Sequence, residues 1–187
     1  MKKNNFKASQ GFSLIELLLV LAIIAALAVA AFVIYPRVQA GRAATYEAQV
    51  LSSVQASIKG LFQNGNYFAL DNAVAINAKL IPESMVDGTD IINQFAGVVT
   101  LAPAADSLGA APAGTATRAP FYSITYADVP PEVCMKVGSS ASSNFAGLTI
   151  GTTVVKSSGT GAIEFAEGTL VTACGTDDPV TMIFIGN

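Results

Sequence analysis

The pattern of hydrophobic positions changes character along this chain. From Leu17 to Tyr35 the sequence LLLVLAIIAALAVAAFVIY is apolar and carries no charge over 19 residues. As an α-helix that run is about 28 Å long, close to the thickness of a bilayer's hydrocarbon core. Beyond Pro36 the pattern becomes one-sided. Tyr46, Val50, Val54 and Ile58 recur every four residues, and Leu51, Leu61 and Phe62 widen the stripe. Arg42, Glu47, Gln49, Gln55 and Lys59 fill much of the other surface. We therefore expect one helix from Phe12 to about Gln63, apolar all round in its first half. Its amphipathic second half is expected to lie on a sheet. Asn64, Gly65 and Asn66 end it with C-cap chemistry. Its weak points are Pro36, which removes a backbone hydrogen bond, and Gly41.

From Asn64 to Pro120 the chain is low in charge and rich in Ala, Asn, Gly and Pro. INAKLIPESMVDGTDIINQFAG reads as a short helix or turns, and GVVTLAPAADSLGAAPAGTATRAP as a strand followed by a long loop. Period-two segments then dominate. Strands are expected at FYSITY (121–126), LTIGTTVV (148–155), AIEF (162–165), TLVTAC (169–174) and VTMIFI (180–185). Short polar connections favour antiparallel pairing. Pro130, Pro131 and Glu132 are helix-start chemistry, so a short helix should carry Cys134.

Composition narrows the function classes. Of 187 residues, 52% are hydrophobic and only 12% charged, about half the charge of an average soluble domain. The mean hydropathy of +0.53 argues against a disordered chain. The net charge is −3 and the ten cationic residues are scattered, which is no footprint for a specific nucleic-acid partner. The chain has no histidine, so His-based acid–base catalysis and His-ligated metals are excluded. The serines of SSASSN (139–144) have no base nearby in sequence, and GTGAIEF lacks the glycine order of a phosphate loop. No catalytic residue, metal or cofactor is expected, and the chain does not read as an enzyme.

Lys2, Lys3 and Lys7 precede the apolar run and place the N-terminus on the cytoplasmic side of a membrane, with everything after Pro36 outside. The run is too long for the apolar core of a secretory signal peptide. A plain signal anchor would explain its length and orientation, but not Glu16. A carboxylate in an apolar span costs roughly 2.5–3.5 kcal/mol at the centre, less near the interface, and usually has a function.

Gly11, Phe12, Ser13, Leu14, Ile15, Glu16, Leu17 and Leu18 read GFSLIELL after a short basic leader. This resembles the class III signal and N-terminal helix of type IV pilins. The resemblance implies an α+β fold: a long N-terminal helix packed on an antiparallel sheet, with a disulfide-bounded C-terminal region. It implies cleavage between Gly11 and Phe12 by a prepilin peptidase that also methylates the new N-terminus. The organisation would be a leader at 1–11, a long helix at 12–63 with 12–35 in the membrane or filament core, and a globular domain at 64–187. Partners would be other copies in a helical filament, the peptidase, the inner-membrane assembly machinery and the membrane itself. The precursor would reside in the bacterial inner membrane and the product in an extracellular pilus.

The order ITYADVPPEVCMKV, with a second cysteine near the C-terminal strand, resembles the type IVb branch; the short leader and N-terminal phenylalanine are more like type IVa. Cys134 and Cys174 lie in a domain read as exported, where disulfides persist; two free buried thiols are the alternative. By resemblance they would enclose the family's D-region, and the stretch from 64 to 120 would be filament surface. From Pro103 to Pro120 a solvated linker fits equally well.

After cleavage Phe12 would carry an ammonium group, one helical turn from Glu16 and about 6 Å along the axis. Opposite charges in hydrocarbon need each other, within one chain or between chains. The alternatives are a minor pilin, a secretion pseudopilin and, more distantly, a monomeric membrane-anchored binding domain. Cleavage would remove three lysines and no acid, leaving seven basic and thirteen acidic side chains and a charge of −6. Mass spectrometry of protein sheared from cells should therefore find N-methylated Phe12 at the N-terminus; a chain beginning at Met1 would overturn the cleavage assignment.

Overall fold

The long apolar-to-amphipathic pattern folds as helix α1, Leu14–Leu61, with Pro36 inside it. The computed structural model describes residues 13–159, 161–175 and 178–187, so Gly11 and Phe12 lie outside the described residues. The chain divides after Gln39 into two units. The first holds the apolar part of α1, where large side chains such as Leu14, Leu27, Phe32 and Tyr35 are exposed.

In the second unit, the chain leaves α1 through a turn in which Gly65 adopts φ +64° and donates its N–H to the Phe62 carbonyl. Asn66 then ties this turn to the end of the 105–120 loop. Its Oδ1 accepts from the Ala119 N–H and its Nδ2 donates to the Thr117 carbonyl. Ala119 is buried, so this end of the loop is anchored and the linker alternative does not hold there.

A seven-stranded sheet follows, with β1 Val86–Asp87, β2 Asp90–Ile92, β3 Val98–Ala104, β4 Phe121–Val129, β5 Gly147–Ile150, β6 Thr153–Lys156 and β7 Val180–Gly186. The spatial order is β1-β2-β3-β4-β7-β5-β6, every neighbour antiparallel. The C-terminal strand β7 is thus inserted between β4 and β5, with Phe184 opposite both Ile124 and Leu148. Those three side chains are buried in one core with Leu51, Val54 and Ile58 of α1. Two short helices cover other parts of the sheet: α2 (Asn72–Asn77), capped by Asp71, and α3 (Pro131–Ala141), which begins at the expected proline pair and carries Cys134.

Three expected strands are corrected. Leu148–Val155 is not one strand but the hairpin β5–β6, because Gly151 at φ +57° reverses the chain. Residues 162–165 join no ladder. Gly159 and Gly161, both at positive φ, curl the chain, and the segment is held by the Ser157 N–H to the Ile163 carbonyl. Thr169–Cys174 belongs to a helix, α4, Glu167–Cys174. A strand would put Leu170, Thr172 and Cys174 on one face. Instead Leu170 and Cys174 are buried four residues apart, and exposed Thr172 donates its hydroxyl to the Gly168 carbonyl. Packing overrides the β-branched composition here.

The packing that wins is α4 against α3. Cys134 and Cys174 form a disulfide with their Cα atoms 5.8 Å apart. One turn further along α3, Gly138 leaves room for Leu170; a Cβ there would lie 2.6 Å from Leu170 Cδ1. The bridge closes a loop with a sequence separation of 40, which contributes about 4 kcal/mol on the chain-entropy account. Reduction, or Cys174→Ala, should lower the unfolding midpoint of the C-terminal region, and the two cysteines of the unsubstituted chain should alkylate only after reductant. Thiol labelling of the unreduced, denatured chain would contradict the bridge.

Candidate functional site

The N-terminal turn of α1 is built by local bonding. The Ser13 carbonyl accepts the N–H groups of Glu16 at 3.0 Å and Leu17 at 3.2 Å. Ser13 and Glu16 therefore stand in the Ser-x-x-Glu spacing of a capping box, a signal that the resemblance to a processing motif overshadows. A carboxylate in the first turn is also favoured by the helix dipole, by roughly 0.3–1 kcal/mol. Glu16 thus supports the helix start locally and is exposed, on a surface otherwise apolar. The spacing of four to Phe12 is a sequence fact; Phe12 itself lies outside the described residues.

Around Glu16 the helix shows its apolar surface on every side. Between Leu14 and Tyr35, fourteen large apolar side chains among the described residues are exposed, Phe32 by 81%. Burying each is worth roughly 1.5–3 kcal/mol, so covering this segment is worth some tens of kcal/mol. The cost of taking one carboxylate along is about a tenth of that. Glu16 therefore does not keep the segment out of an apolar environment. What it can do there is require a cationic partner, because a buried charge is tolerated when paired.

The second unit offers little chemistry of the catalytic kind. Among the described residues no group of three or more Cys, Asp or Glu is placed to hold a metal. An open groove of about 590 Å³ runs between small side chains of α1, such as Gly41, Ala48 and Ser52, and Lys136 and Ser140 of α3. Lys156 is used structurally: its ammonium donates to the carbonyls of Ser142 and Phe145, just past the end of α3.

One residue departs from the sequence reading. Glu47, expected on the polar surface, is 2% exposed, whereas Tyr46, expected in the apolar stripe, is 39% exposed. At about 100° per residue, Glu47 lies roughly 20° from the direction of Ile58, and Tyr46 roughly 120° from it. A strict repeat of four drifts off the seam; Glu47, Leu51, Val54 and Ile58 follow it. The signal was thus present in the spacing and masked by the charge. Glu47 Oε1 accepts the Gln94 N–H at 3.1 Å, and Oε2 is buried without a partner. Burial raises the Glu47 pKa above 4.5; the Gln94 N–H and the Tyr126 phenol offset that only in part.

Comparison with known proteins places this architecture. The family described as PilS N terminal matches residues 42–187, and the prokaryotic N-terminal methylation motif matches residues 6–32. No curated protein sequence is a significant match. Among solved structures, the fold is shared with TcpA, a type IV pilin from Vibrio cholerae El Tor biotype. That match has 19% identity and a TM-score of 0.55, covering 78% of this chain and 99% of TcpA. It is also shared with a type IVb pilin from Salmonella typhi, at 16% identity and a TM-score of 0.51, covering 74% of this chain and 98% of that one. With a family match over most of its length, a methylation motif ahead of it and this shared architecture, the chain belongs to the PilS N-terminal family and is a type IV pilin in fold and N-terminal motif.

Proposed function

We propose that this protein is the structural subunit of a type IV pilus of the IVb branch. It enters the inner membrane as a prepilin through residues 12–35. The peptidase cuts after Gly11 and methylates Phe12, and the subunits polymerise through their N-terminal helices into a surface filament. The globular domain, 64–187, faces outward in the filament. Adhesion, motility and DNA transfer are the roles open to such a filament. The observation that carries this reading is the apolar half of α1, exposed on all sides with a single carboxylate near its start. A lipid bilayer covers such a surface before assembly, and copies of the same helix cover it afterwards. The TcpA and Salmonella typhi likenesses support the same reading at the level of fold.

The alternative with a specific observation behind it is a monomeric anchored domain, since one apolar helix is all an anchor needs. The two readings differ at Glu16. An anchor gains by losing a charge from its apolar segment, so Glu16→Ala would leave it inserted and working. In a filament core, the Phe12 ammonium would lose its carboxylate. Removing one partner of a buried pair costs on the order of 3–5 kcal/mol, here at every subunit. Glu16→Ala should leave membrane insertion and cleavage intact and reduce filaments sheared from the cell surface at least tenfold. Normal filament yield from that variant would favour the anchored monomer.

A further inference from the structure

Glu47 sits where a carboxylate is hard to keep. Its Oε2 is buried with no hydrogen-bond partner, and the carboxyl borders an internal cavity of about 10 Å³. That volume holds one water molecule at most. The cavity is walled by Phe95 of the β2–β3 turn, Tyr126 of β4, valines of β4 and α3, and Met182 and Phe184 of β7. Tyr126 is the only other titratable group among these walls, and no Lys or Arg lines the cavity among the described residues. An ionised carboxylate here would have one backbone N–H, a nearby phenol and otherwise apolar neighbours. Such a site only partly replaces the hydration shell of a charge, so burial favours the protonated form.

The bond that Glu47 accepts from the Gln94 N–H spans two parts of the fold. Gln94 belongs to a tight turn that Asn93 organises: Asn93 Oδ1 accepts from the N–H groups of Phe95 and Gly97, and its Nδ2 donates to the Ala127 carbonyl. Gly97 packs so closely on that carbonyl that a Cβ would lie 2.0 Å from the oxygen. The turn is therefore fastened to β4 beside the bulge between Tyr126 and Val129. Glu47 fastens α1 to the same turn.

We propose that Glu47 is a proton-dependent latch: as the neutral acid it holds the amphipathic part of α1 against the β2–β3 turn and the sheet, and its ionisation loosens that hold. The direction of the pH effect follows. With its folded pKa raised above 4.5, mainly by burial, the folded state binds the proton more tightly than the unfolded chain. The stability that Glu47 contributes is complete below about pH 4.5 and is lost as pH rises through the folded value. Tyr126 is likewise pushed up, first by burial and then by Glu47, so it stays neutral across this range. The latch is independent of whether the subunit polymerises.

The test uses the full-length chain in detergent micelles. Glu47→Gln keeps the shape and the acceptor for Gln94 but cannot ionise. Its thermal midpoint should match the unsubstituted protein at pH 4 and exceed it by about 3 °C or more at the alkaline end of the titration. The Gln94 amide resonance of the unsubstituted protein should show one inflection above pH 4.5, absent in Glu47→Gln. Parallel pH–stability curves for the two proteins would overturn the latch. If Glu47→Gln fails to fold, the Gln94 titration alone decides, and an inflection at ordinary carboxylate pH, or none, overturns it.

Discussion

An exposed, apolar helix surface sets the terms for the rest of the molecule. Fourteen large apolar side chains between Leu14 and Tyr35 are exposed among the described residues. Covering them is worth tens of kcal/mol, several times the net stability of a typical domain. No local adjustment can offset that, so covering this surface is strongly favoured. Against such a driving force a single carboxylate is a small penalty.

The second half of the same helix obeys a different rule. Residues such as Leu51, Val54 and Ile58 are buried with the sheet, and the core they share runs through β4 and β7. Because β7 lies between β4 and β5, the centre of the sheet is completed by the last residues of the chain. Glu47 is the exception in this seam. A buried carboxyl that ties α1 to the Asn93–Gly97 turn adds specificity to an otherwise greasy contact, at the cost of sensitivity to its protonation state.

The C-terminal region solves a separate problem. Between β4 and β7 the chain makes two short helices and a hairpin, whose buried residues join the core of α1 and the sheet. The Cys134–Cys174 bridge holds α3 and α4 together, and Gly138 lets Leu170 approach closely. Lys156 secures the chain beyond the end of α3 with two hydrogen bonds to carbonyls. Little of this depends on ion pairing; the only described salt bridge, Lys79 to Glu83, is exposed at 3.7 Å and adds little.

What the sequence by itself determined are the features governed by local period or by elimination. The apolar run, the amphipathic continuation, the turn at Asn64–Asn66, the strands at Phe121 and Val180 and the helix start at Pro131 each follow from side-chain spacing or backbone chemistry within a few residues. With only two cysteines, the pairing had a single intrachain solution. The tertiary structure decided what depends on partners distant in sequence. Thr169–Cys174 has the composition of a strand and folds as α4, because Cys174 must meet Cys134 and Leu170 must meet Gly138. Glu47 has the chemistry of a surface residue and is buried, because the helix's angular repeat brings it onto the line of Ile58, where the sheet closes over it. Propensity and charge act within a turn of the chain, whereas burial is fixed only when remote segments meet.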